Sequence, residues 1–189
     1  LWPSFQNGVV TELRLCPDVP YSSLSWIRRT SDDRCPFQAT IEQGGVLLAL
    51  GLSSHLRNQS ISRTDITEYT ESTVEPVRIG TLLGLAANRG PREPSTVSVL
   101  MDHIGRLQDD TNVNSTMQSV ALFGLGLLSQ SSAERNTVHF PLNELDMVRF
   151  PNDQPESFFL SAGLAVGLVL LSRGISELRD LDALTRLNG

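Results

Sequence analysis

The 189-residue sequence predicts an all-α fold, an α-α superhelical solenoid or toroid of helix-turn-helix repeats. Three observations lead there. An apolar block closing on Gly-Leu recurs four times, the recurrences lie 33, 42 and 41 residues apart, and more polar stretches with apolar residues at helical spacing separate them. Periods of this size belong to helical arrays, in which each repeat buries its apolar face only by stacking on its neighbours.

The blocks are Leu47-Leu48-Ala49-Leu50-Gly51-Leu52, Gly80-Thr81-Leu82-Leu83-Gly84-Leu85, Leu122-Phe123-Gly124-Leu125-Gly126-Leu127 and Gly163-Leu164-Ala165-Val166-Gly167-Leu168. Aligned on Gly51, Gly84, Gly126 and Gly167, each anchor is followed by Leu and preceded by Leu or Val. The windows around them, such as 44–56 and 157–172, exceed ordinary strand length and are rich in Leu and Ala, which favours helix. They are apolar almost all round, as a helix buried on several sides is. Glycine inside a helix costs about 1 kcal/mol relative to alanine. Its return at one register therefore implies close approach of a neighbouring helix at these four structural anchors. Gly80/Gly84 and Gly163/Gly167 each form G-x-x-x-G, a close-packing face.

In chain order, residues 1–40 read as an irregular lead-in broken by Pro17, Pro20 and Pro36, and residues 41–189 as about four repeats of a longer array, with no separate second domain. After the first block, Asp65 to Glu71 form an amphipathic outer helix with Thr64 as its N-cap. After the second, Val97, Leu100, Met101 and Ile104 follow Ser95. After the third, Leu142, Leu145 and Met147 follow Pro141, and after the fourth, Leu178, Leu181, Ala183 and Leu184 follow Ser176. Each repeat is thus an apolar inner helix plus an amphipathic outer one. Breakers fill the connectors at Gly90-Pro91-Arg92-Glu93-Pro94, 108–114 and Pro151-Asn152-Asp153-Gln154-Pro155.

A net charge of −6 argues against a general nucleic-acid surface, which needs a basic stripe. All 15 basic residues are Arg. Cys16 and Cys35 have neither C-x-x-C spacing nor a histidine at zinc-ligand distance, and read as reduced, buried small hydrophobes of a nuclear or cytoplasmic protein. The longest apolar stretch, 160–171, is too short to cross a bilayer. A first residue other than Met suggests a piece of a longer protein, and an excised array would expose apolar helices at its ends and be marginally stable.

Little here suggests catalysis. His55, His103 and His139 lie 48 and 36 residues apart without paired carboxylates, and read as helix-end or surface residues rather than metal ligands. Asp109-Asp110 reads as a solvated loop. No G-x-S-x-G, H-E-x-x-H or phosphate-binding loop occurs. Outside the blocks, Trp26 with Arg28 and Arg29 is a candidate partner contact, since Trp and Arg anchor interfaces. The alternative is that Trp26 packs the end of the first repeat. None of the 10 prolines follows Ser or Thr, so proline-directed phosphorylation should map outside this segment.

The blocks resemble the proteasome/cyclosome repeat family. The stretch from Gly45 through Leu56 is similar to its "ALGLNGHL" signature, and Glu156-Ser157 with 161–168 to its "ESYxLAAGLALG" stretch. Phe5-Gln6-Asn7-Gly8-Val9 and Ser25-Trp26-Ile27 look like the approach to the repeat region in its cyclosome branch. The resemblance implies a non-catalytic scaffold segment of the anaphase-promoting complex, a cullin-RING ubiquitin ligase controlling mitotic progression and exit. It further implies partners in the cullin/RING module, the tetratricopeptide-repeat subunits and the coactivator. No cofactor, metal, small-molecule ligand, nucleic acid or membrane is expected. The alternatives are a non-ATPase scaffold of the proteasome regulatory particle with the same repeats and, more remotely, a helical enzyme with an unrecognised site.

Overall fold

A computed structural model describes residues 1–14, 36–54, 56, 63–88, 94–105, 115–130 and 156–173. Among them there are seven helices and no strand: α1 Trp2–Leu13, α2 Pro36–Leu52, α3 Arg63–Thr70, α4 Glu75–Ala87, α5 Pro94–Gly105, α6 Ser115–Gln130 and α7 Glu156–Arg173. The fold is all-α, and each of the four blocks lies within one helix: α2, α4, α6 and α7. The chain divides into two compact units, Leu1–Pro91 and Arg92–Gly189.

In the first unit α2 is sandwiched, packing on α1 along one side and on α4 along another. Ile41, Val46, Leu47, Ala49 and Leu50 of α2 are buried, together with Val77, Ile79, Leu82, Leu85 and Ala86 of α4. Proline sets the start of α4: Val74 is extended (φ −92°, ψ 107°), Glu75 and Pro76 open the first turn, and the missing N–H of Pro76 falls where no intrahelical acceptor exists. The acidic Glu75 suits the positive end of the helix dipole. The short α3 carries Tyr69, whose hydroxyl accepts a 3.3 Å hydrogen bond from Nε2 of Gln43 on α2, while α3 itself packs on α4. An outer helix therefore ties two inner ones together. Thr64, expected as its N-cap, lies inside the first turn, since α3 begins at Arg63.

In the second unit α5 packs on α6, and α6 on α7. Leu100 and Ile104 of α5 are buried, at the spacing expected of an outer helix. On α7 the buried residues Phe158, Ala162, Ala165 and Val169 recur at i, i+4, i+7 and i+11, a single stripe facing α6.

The lead-in is more ordered than expected. Residues 2–13 form α1, whose Phe5, Gly8 and Glu12 are buried on one side, and α2 begins five residues before position 41. Pro3, in the first turn of α1, is compatible with helix, and Pro36 opens α2, while Pro17 and Pro20 lie outside the described residues. The outer helices expected around 141–147 and 176–184 lie outside the described residues.

Candidate functional site

The structure brings together glycine seams rather than reactive side chains. Along the α2–α4 seam, a Cβ on Gly51 would run into the carbonyl and α-carbon of Gly84, one on Gly84 into the carbonyl of Leu47, one on Gly80 into the carbonyl of Gly44, and one on Gly44 into the carbonyl of Pro76. The contacts Gly44–Pro76 and Gly51–Gly84 are seven and eight residues apart in the same order, so the two helices run parallel. The atom nearest each added Cβ is backbone and cannot swing aside. Gly44 and Gly51 are seven residues apart, two turns, which places both on one face of α2.

Gly45, the next residue after Gly44, points elsewhere. A Cβ there would overlap the carbonyl of Phe5 on α1, and a Cβ on Gly8 would overlap the carbonyl of Glu42. Neighbouring helix positions differ by about 100° in direction, so Gly44-Gly45 lets α2 meet α4 with one residue and α1 with the next. Three glycines in α2 cost about 3 kcal/mol of helix propensity. Fully burying a Leu or Val side chain returns about 1.5–3 kcal/mol, and Val46, Leu47 and Leu50 are all buried. Close approach therefore more than offsets the propensity lost.

The α6–α7 seam uses a different pair. A Cβ on Gly126 would stand 2.5 Å from the Ala165 α-carbon and 2.8 Å from its β-carbon, so the anchor glycine meets alanine. Ser119 Oγ donates to Ser157 Oγ at 3.5 Å nearer the N-termini, and the two contacts show that α6 and α7 also run parallel. Gly167 behaves differently from the other three anchors: among the described residues, nothing lies within 4 Å of a Cβ placed on it or on Gly163. The close approach expected there is not made among the described residues. Leu160, Leu164 and Leu171 on the same helix are 66%, 49% and 77% exposed.

Three buried hydroxyls, those of Thr70, Thr81 and Ser129, are satisfied within their own helices. Thr81 Oγ1 donates to the Val77 carbonyl and Ser129 Oγ to that of Leu125, each at 2.7 Å. Two exceptions belong to charged side chains, Glu12 and Arg78, whose buried Nε has no hydrogen-bond partner among the described residues. Glu12 is buried in α1, its Oε2 has no hydrogen-bond partner among the described residues, and burial pushes its carboxyl above the ordinary glutamate range. The amide nitrogen of buried Gln118 on α6 also lacks a partner among the described residues. Gln118 stands eight residues before Gly126 and Gln43 eight before Gly51, so the repeats place an amide at the same register twice.

Of the histidines, His103 is described: its Nδ1 lies 2.8 Å from the Val99 carbonyl one turn earlier in α5. His55, His139, Cys16, Cys35, Asp109 and Asp110 lie outside the described residues, as do Trp26, Arg28 and Arg29. Among the described residues no three His, Cys, Asp or Glu side chains are grouped to hold a metal ion, and no helix is long and apolar enough to cross a membrane. The four-fold alignment finds Gly51, Gly84 and Gly126 but passes over Gly8, Gly44 and Gly45, which close the seams equally. The spacing of Gly44 to Gly51 was the available signal. Nothing in the sequence marks Glu12 as buried.

Parallel inner helices closed on one another through glycine, with an outer helix bridging them, define a helical repeat protein built for packing. Comparison with known proteins gives the particular family. Residues 1–90 match the APC1 fourth domain and residues 95–189 the APC1 fifth domain, two consecutive stretches meeting where the chain divides into its two units. The chain is 34% identical over 191 residues to anaphase-promoting complex subunit 1 of Arabidopsis thaliana, covering 97% of this chain and 11% of the relative. The subunit of the same name in Dictyostelium discoideum is 35% identical over 198 residues, covering 99% and 8%, and that of Homo sapiens 34% over 182 residues, covering 92% and 9%. The chain belongs to the anaphase-promoting complex subunit 1 family. It spans about a tenth of the length of these relatives.

Proposed function

We propose that this chain is a non-catalytic scaffold segment of an anaphase-promoting complex, acting in the nucleus and cytoplasm within a cullin-RING ubiquitin ligase that governs mitotic progression and exit. The observation that carries this reading is the ordered pair of domain matches, fourth then fifth, across nearly the whole chain. The seams support it physically. Helices in backbone contact have little room to slide, so each repeat holds its neighbour at a set distance, as a scaffold requires. On this reading residues 41–189 are part of a superhelical array that positions the cullin/RING module, the tetratricopeptide-repeat subunits and the coactivator. Ubiquitin transfer is the work of the RING partner.

The test is affinity purification of the endogenously tagged full-length protein, with mass spectrometry of what accompanies it. Cullin, RING and tetratricopeptide-repeat subunits in stoichiometric amounts are expected. Recovery of proteasomal ATPases in their place, or of the protein alone, would overturn the proposal. Within it, Trp26, Arg28 and Arg29 form a partner contact. Replacing both arginines by Glu should lower recovery of one partner group, and unchanged recovery removes these residues from the interface.

A further inference from the structure

We draw no further inference here: the strongest candidate, the exposed face of α7 that carries Leu160, Gly163, Leu164 and Gly167, is an unpartnered apolar face, and nothing in the structure shows what covers it.

Discussion

Helices α4 and α7 carry the same G-x-x-x-G motif at the same register, yet the two motifs sit in opposite surroundings. Gly80 and Gly84 lie against the backbone of α2, with no room for even one added carbon. Gly163 and Gly167 have no described residue where a Cβ would stand, beside leucines that are about half exposed or more. A glycine motif is therefore only a permission for close approach. Whether it stabilises depends on what stands opposite, and without a neighbour the helix merely bears the propensity penalty. The α6–α7 seam is intermediate, with Gly126 received by an alanine and the buried stripe of α7 turned toward α6, away from its own glycines.

The largest effect should come from filling the closed seam. Gly51→Ala and Gly80→Ala each place a methyl group against immovable backbone, and overpacking of this kind costs about 1–3 kcal/mol, occasionally more. Urea unfolding should show a lower midpoint for both variants. A midpoint at or above the parent value would mean that α2 and α4 are not in backbone contact. Gly167→Ala provides the opposite sign. With nothing in its way among the described residues, the alanine should recover about 1 kcal/mol of helix propensity, and the midpoint should rise. Loss of stability there would show that a neighbour occupies this face in solution, which would erase the contrast between α4 and α7.

A smaller effect is expected at the end of α2. Ser54 adopts φ 62°, the left-handed conformation that commonly closes a helix, and its N–H donates to the Gly51 carbonyl at 2.9 Å. The family signature has Gly at this position, where a residue without Cβ adopts positive φ freely. Ser54→Gly should stabilise by a few tenths of a kcal/mol up to about 1, the strain relieved being partly offset by the greater freedom of glycine in the unfolded chain. Thermal melts of the two forms decide it, and an unchanged or lower Tm would mean that the serine hydroxyl compensates.

These positions also show what a sequence can and cannot display. The all-α fold and the inner helices were legible because Leu47, Leu82, Leu122 and their neighbours recur with a fixed glycine, and periodicity reports burial directly. Half of the seam was legible for the same reason. Gly44 and Gly45 were not, because two adjacent glycines serve two different neighbours, and no single-helix pattern encodes which neighbour each one meets. The order in residues 1–14 was hidden by the prolines nearby and by Glu12, a charged residue on the buried side of α1 that breaks its apolar pattern. Gly167 shows the reverse: it aligns with the other anchors, yet no close approach is made there among the described residues, and alignment says nothing of what occupies the space opposite.

Glu12 turns that hidden order into the finest measurement. Its folded-state carboxyl titrates above the ordinary value of about 4.5 because burial penalises the charged form. Below that value the group is neutral whether the chain is folded or unfolded, and its contribution is fully present. As pH rises toward the raised folded value, the unfolded chain releases its proton first, so stability should fall across this window. Glu12→Gln removes the ionisation without removing the side chain, and its stability should be flat where the parent declines. The gap between the two should therefore widen as pH increases from about 4.5. A parent that instead gains stability over this window relative to Glu12→Gln would mean that the carboxylate has found a cationic partner. The α1–α2 contact would then be held by an ion pair as well as by the Gly8 and Gly45 seam.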